Sequence, residues 1–224
     1  MQQPPEHDGP TVDVGDARRY AQAAQLNRAP ILGVLDEILP RRGTVLEVGS
    51  GSGEHAVYMA SKLPGIVWQP SERDEASLSS IEAWRVRSGP SGALPNLLPP
   101  VRIDLAQDGW VDDVPAHAGY PVAVVAINVL QASSLAAAQN LFAGAARLLM
   151  PDRLLYLYGP FRREGQHTSM GNAQLDRDLR SQNEDWGVRD FEDVADLGAA
   201  HRLVLEEVVR MPNNNLSLIF ARHR

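Results

Sequence analysis

The 224-residue chain predicts an α/β fold: a mostly parallel, seven-stranded sheet finished by a C-terminal antiparallel hairpin. Three observations carry this expectation. Short β-rich runs alternate with helical segments between Thr44 and Tyr158, the pattern of a parallel sheet with helices on both faces. A glycine-rich stretch, Gly49-Ser50-Gly51-Ser52-Gly53, follows the first of these runs directly. The last two apolar runs, Val204 to Met211 and Leu216 to Ala221, are joined only by Pro212-Asn213-Asn214-Asn215. That connection is too short for a crossover, so the two strands must pair antiparallel.

The elements follow in order. Met1 to Gly15 is polar, acidic and proline-rich and reads as a disordered tail, leaving residues 16–224 as one domain. Asp16 is a candidate cap for a helix starting near Ala17. Pro30 is expected to break or restart it, before Ile31, Leu35, Ile38 and Leu39 resume an apolar stripe. Thr44 to Val48 is the first strand. A helix from Glu54 ends at Pro64-Gly65. Ile66 to Gln69 is the second strand, ending at Pro70, and Asp74 to Arg87 is helical with Leu78, Ile81 and Trp84 on one face. After a Gly- and Pro-rich loop, Val101 to Ile103 is a weaker third strand. Val122 to Ile127, apolar throughout, reads as a strand buried on both faces. An alanine-rich helix over Ser134 to Met150 leads to the buried strand Leu154 to Tyr158. Gly159 to His167 is a loop, and Ser169 to Ser181 and Phe191 to Ala200 are helical.

Composition narrows the function classes. The formal charge of −7 offers no footprint for nucleic acid or anionic membrane, and the absence of cysteine excludes disulfides, thiolate nucleophiles and cysteine-ligated zinc. No metal site is expected. No apolar run is long enough to span a bilayer, and the first residues lack the basic start and apolar stretch of a signal peptide, so the expectation is a cytoplasmic protein with a small-molecule partner. Nothing in the sequence sets the oligomeric state.

Glu47-x-Gly49-x-Gly51-x-Gly53 is the strongest local signal. Glycines at this spacing let the backbone turn sharply after a strand and approach a ligand closely. The spacing differs from Gly-x-Gly-x-x-Gly of dinucleotide-binding loops, and no Gly-Lys-Ser/Thr follows for a phosphate loop. With an acid two residues before the first glycine, it is that of a methyltransferase cofactor loop, implying S-adenosylmethionine. Glu72, about 20 residues on, stands where a carboxylate accepts ribose hydroxyls. Asp104 is placed to receive an adenine amino group, with Leu105 against the ring. Arg28 and Asn27 are candidates for the cofactor carboxylate. Taken singly, Glu72 also fits a surface turn, Asp104 a helix cap and Arg28 a solvated side chain.

These residues belong to a wider resemblance. From about Arg18 to the C-terminus the chain resembles the UPF0585 family, also called DUF938 or methyltransferase-like protein 26. Matching strings include Leu46-Glu47-Val48-Gly49-Ser50-Gly51-Ser52-Gly53-Glu54-His55-Ala56, Trp68-Gln69-Pro70-Ser71, Ile127-Asn128, Tyr158-Gly159-Pro160-Phe161 and Met211-Pro212-Asn213-Asn214-Asn215. The resemblance implies a Rossmann-like class I methyltransferase fold that binds S-adenosylmethionine, and it supplies no substrate. Two departures stand out. Glu72 replaces the family's usual aspartate. Gln131 replaces a histidine beside the expected methyl-transfer position, and a glutamine cannot act as a base.

Methyl transfer needs positioning more than a dedicated catalytic motif, and no such motif is evident. The candidates are Gln131, His167 and Tyr158, with Asn128 beside the cofactor. His55 fits either a ligand-facing or a structural role. Trp186 belongs to a segment that covers the pocket or packs beneath it, and Arg180 with Asp176 fits a helical salt bridge. The leading reading is a methyltransferase acting on a small molecule; the alternative is a protein that kept the cofactor fold with altered or lost catalysis. A nicotinamide-dependent oxidoreductase is disfavoured by the glycine spacing.

Overall fold

A computed structural model describes residues 16–89 and 92–224. The tail expected over 1–15 lies outside the described residues. The helices are α1 (Gln22–Ile38), α2 (Glu54–Lys62), α3 (Glu75–Arg85), α4 (Leu135–Leu148), α5 (Met170–Gln182) and α6 (Phe191–Ala200). The strands are β1 (Gly43–Val48), β2 (Ile66–Glu72), β3 (Val101–Arg102), β4 (Ala123–Ile127), β5 (Leu154–Pro160), β6 (Arg162–Arg163), β7 (Gln166–His167), β8 (Leu203–Met211) and β9 (Asn215–Arg222). Seven strands form one sheet in the order β3-β2-β1-β4-β5-β9-β8, in which β1 to β5 run parallel and β9 is antiparallel to both neighbours. The predicted sheet and its terminal hairpin are therefore present. Asn213 and Asn214 make the hairpin turn at φ 60° and 57°, a left-handed geometry that asparagine tolerates better than most residues.

Alternation along the strands divides the core in two. Leu46, Val124, Leu155, Leu157 and Phe220 pack on one face with Leu141, Phe142 and Ala145 of α4. Val45, Val125, Tyr156 and Ile219 pack on the other with Ile31 and Leu35 of α1 and Ala56 and Met59 of α2. Period-two burial on a strand and period-3.6 burial on a helix thus meet across both faces.

Four local expectations are corrected. α1 begins at Gln22, not near Ala17, because Asp16 bonds Arg18 (backbone N 3.0 Å, Nε 2.7 Å) rather than a helix terminus. Residues 16–21 form a strap instead, held by Arg19 N–H to Ser80 Oγ (2.8 Å), Ala21 N–H to Glu54 Oε2 (2.5 Å) and Trp84 Nε1–H to Arg19 O (2.9 Å). α1 also runs through Pro30 unbroken. The carbonyl four residues earlier belongs to Leu26, on the exposed face of the helix. β2 continues past Pro70 to Glu72. Trp68 N–H points toward Asn96 O (2.7 Å), so the missing N–H of Pro70, two residues on, faces the loop before β3 and costs no ladder bond to β1. The segment predicted as a loop before His167 contains the short β6–β7 hairpin.

Trp110 fixes how α4 approaches the sheet. Its ring is 2% exposed and its Nε1–H donates to Asn140 O at 2.8 Å. A Cβ on Gly144 would lie 2.3 Å from that ring. Alanine at a mid-helix position normally gains about 1 kcal/mol over glycine. Overpacking a fixed buried ring costs about 1–3 kcal/mol. Gly144→Ala is therefore expected to be destabilising by about 1 kcal/mol net, read from urea unfolding; a stabilised variant would contradict this packing.

Candidate functional site

The site is built where β1 stops. Gly49, Gly51 and Gly53 all take left-handed backbone conformations, with φ of 70°, 58° and 93°. Gly53 is required by packing as well, since a Cβ there would lie 2.8 Å from the Ile81 Cα of α3. Gly51 differs: a Cβ there would meet no atom within 4 Å. Ser80 Oγ–H donates to Ser52 O (2.7 Å), tying α3 to the same turn.

Beneath the turn lies Glu47, 1% exposed. Its Oε2 accepts from Trp68 Nε1 at 3.0 Å and from Ser50 Oγ at 2.9 Å. Ser50 in turn exchanges bonds with Ser71 on β2: Ser50 N–H donates to Ser71 O (2.9 Å) and Ser71 N–H donates to Ser50 Oγ (3.1 Å). Burial pushes the Glu47 carboxyl up to about 7, against the pull of its two hydrogen bonds.

A cavity of about 620 Å³ opens above this turn, at the carboxyl ends of β1 to β4. Six predicted residues line it together: Gly49, Gly51, Glu72, Asp104, Leu105 and Asn128. Glu72 closes β2; one carboxylate oxygen accepts from Arg73 N–H (3.2 Å), and partial burial raises its pKa. Asp104 accepts Ala106 N–H at 2.9 Å, while Leu105 O holds Asn140 Nδ2 at 2.9 Å. Asn128, at φ 57°, ends β4 by donating its N–H to Tyr158 O (2.8 Å).

The other predicted residues lie outside that lining. Glu47 supports the loop from below, and Gly53 packs on α3. The Arg28 guanidinium stacks 4.7 Å over the Tyr58 ring. Gln131 is 8% exposed; its side-chain amide donates to Asn128 Oδ1 (3.3 Å) and its main-chain carbonyl accepts Gly187 N–H (2.9 Å). His167 Nε2 stands 3.6 Å from Asp176 Oδ2. Asp176 also accepts Val188 N–H (2.7 Å) and Arg180 Nε–H (3.1 Å), the latter the salt bridge expected from helical spacing. Tyr158 is buried, its hydroxyl accepts Asn215 Nδ2–H (3.0 Å), and burial raises its pKa.

Asn183, Trp186 and His55 line the cavity as well, none of them assigned to the cofactor from sequence. Asn183 and Trp186, between α5 and α6, line it from the covering side. Trp186 was legible only as part of a covering segment. His55 lines it from α2, 9% exposed, with Nε2 2.7 Å from Asn27 Oδ1. Its one signal was its position two residues after Gly53. Burial, and then the Arg28 charge, pull the imidazole down to about 4. The cavity's carboxylates, Glu72, Asp74 and Asp104, gather at the β2–β3 end. Among the described residues, no group of three or more His, Asp or Glu side chains is placed to hold a metal, and no helix is long and apolar enough to cross a membrane.

The Glu47 carboxyl yields a stability prediction. Its folded pKa lies above the ordinary value of 4.5, so its contribution is fully present below that value and is lost as pH rises through about 7. Glu47→Gln removes the ionisation and is expected to gain stability relative to the parent across that window, by on the order of 2–3 kcal/mol at the top of it. Urea melts of both proteins between pH 5 and pH 8 would measure this, and a pH-independent difference would contradict it.

The comparisons with known proteins agree with this architecture. An S-adenosylmethionine-dependent methyltransferase, SibL, superposes with a TM-score of 0.71 at 17% identity over 90% of this chain and 56% of its own. Human N-acetylserotonin methyltransferase, solved in complex with S-adenosylmethionine, gives 0.72 at 11% identity over 91% of this chain and 53% of its own. The mitomycin 7-O-methyltransferase MmcR gives 0.72 at 13% over 89% and 54%. The chain thus spans about half the length of these proteins, and at such identities the likeness establishes the class I methyltransferase fold alone. The model of a protein family of unknown function, DUF938, matches residues 18–222, which contain every described strand and helix, and the chain belongs to that family.

Proposed function

We propose that this protein is an S-adenosylmethionine-dependent methyltransferase acting on a small molecule. The observation that carries the reading is the convergence of Gly49, Gly51, Glu72, Asp104, Leu105 and Asn128 on one cavity at the strands' carboxyl ends, where ligands bind in open α/β sheets. The residues fit the cofactor. Open space in front of Gly51 admits a ligand against the backbone, and Glu72 Oε1 makes no protein hydrogen bond among the described residues, leaving it for a ribose hydroxyl. Asp104 and Leu105 stand beside it for the adenine.

When bound, the sulfonium supplies a methyl group already activated for in-line displacement. The chain's own task is then to orient an acceptor and exclude water. Asn128 and Trp186 line the part of the cavity available for this. Gln131 reaches the ligand space only through its bond to Asn128, and an amide cannot take up a proton at neutral pH. That observation supports an acceptor that needs no strong base; it equally favours the second reading, a cofactor-binding protein with altered catalysis.

Calorimetry with S-adenosylhomocysteine tests the cofactor. Gly51→Val is expected to abolish binding while the protein stays folded, because the side chain enters ligand space. Glu72→Ala is expected to weaken binding by about 1.5–3 kcal/mol, the scale of a lost charge-assisted hydrogen bond, and Glu72→Asp to be much milder. Unchanged affinity in folded Gly51→Val would sink the assignment. Release of methylated product from a panel of hydroxyl and amine acceptors separates a working enzyme from the second reading.

A further inference from the structure

We propose that His55 is the acceptor for the α-ammonium group of the cofactor, through its Nδ1 atom. The inference rests on the cofactor reading above and adds a specificity-determining residue to it.

The tautomer follows from the neighbours. Asn27 Oδ1 can only accept, so the 2.7 Å contact requires the proton on His55 Nε2. A neutral imidazole protonated at Nε2 carries its lone pair on Nδ1. Among the described residues Nδ1 has no hydrogen-bond partner, and it is not one of the buried polar atoms left without one, although the side chain is largely enclosed and borders the cavity. Burial keeps the ring neutral at pH 7, so it accepts and does not repel a cation.

Competing acceptors at this end of the cavity are engaged. The Glu54 carboxylate accepts from Ala21 N–H, Gln25 Nε2–H and Ser52 Oγ–H. Asn128 Oδ1 accepts from Gln131. Glu72, Asp74 and Asp104 stand at the other end. The His55 lone pair is the side-chain acceptor left for a cationic donor beside the glycine turn.

The test uses S-adenosylhomocysteine and its desamino analogue, which keeps the carboxylate, measured by calorimetry on the full chain. The parent is expected to prefer S-adenosylhomocysteine by about tenfold or more, the scale of one hydrogen bond to a charged group. His55→Phe keeps the ring's bulk without an acceptor and is expected to erase the preference. His55→Asn places an amide oxygen near the Nδ1 position and is expected to retain most of it. An undiminished preference in folded His55→Phe overturns the proposal, as does an equal loss for both ligands, which would place the contact on the carboxylate. Should His55→Phe not fold, nitrogen-15 NMR of the parent decides. A shift of Nδ1 with S-adenosylhomocysteine but not with the desamino analogue supports the assignment, and the same shift with both overturns it. Binding of neither compound by the parent overturns the cofactor reading itself, and this inference with it.

Discussion

A buried carboxyl, that of Glu47, sits under the turn on which the whole ligand-facing surface is arranged. Leaving it unpaired at the end of a central strand would be costly. The indole N–H of Trp68 and the hydroxyl of Ser50 satisfy the same oxygen, so one acid joins β1, β2 and the glycine turn. Ser50 then repeats the connection through two bonds to Ser71. The turn cannot move without breaking this set. Its outer side is held by Ser80 of α3, and the close approach of Gly53 to Ile81 leaves no room for α3 to drift. What remains unfilled is the space in front of Gly51. The cavity is therefore a consequence of how the glycine turn is supported from below.

Much of this was legible in the sequence because the signals are local. An apolar run followed by spaced glycines dictates strand, tight turn and helix regardless of what surrounds them. An Asn-rich connection of four residues leaves two strands no choice but to fold back. Glu72 could be placed by its spacing of about 20 residues after the glycines and Asp104 by the end of the third apolar run, and both line the cavity. The surroundings of Glu47 could not be read on the same grounds. Its spacing before the glycines marks it as part of the motif, yet only the sheet register, which sets it opposite Pro70 and beneath Ser50, shows that it faces inward.

The less legible parts depend on contacts distant in sequence. Pro30 looks like a helix end, but the buried positions Ala24, Asn27, Ile31 and Leu35 hold one stripe across it, and tertiary packing on β1 and α2 outweighs one lost backbone bond. Asp16 looks like a cap, but Arg18 lies two residues away and competes for it, while Ser80, Glu54 and Trp84 draw residues 19–21 across α2 and α3. The position of His55 just after the glycine turn leaves its role open between ligand and structure. Its meaning comes from Asn27, on a different helix, which sets the tautomer.

The departure at Gln131 acquires a physical sense from its neighbours. Asn128 must hold a left-handed backbone to turn the chain away at the end of β4, and the Gln131 amide fastens its side chain there. The main-chain carbonyl of Gln131 meanwhile receives Gly187 N–H from the segment that carries Trp186 over the cavity. Arg189 reinforces the same junction from the other side, donating to Leu130 O (3.2 Å) and Ser133 O (2.5 Å). Asp176 anchors the segment again through Val188. One residue thus links the cavity wall to its cover. A histidine in that position would keep the Gly187 bond, which the main-chain carbonyl makes, but would bring a titratable ring to the Asn128 contact; the glutamine amide does not ionise near neutrality.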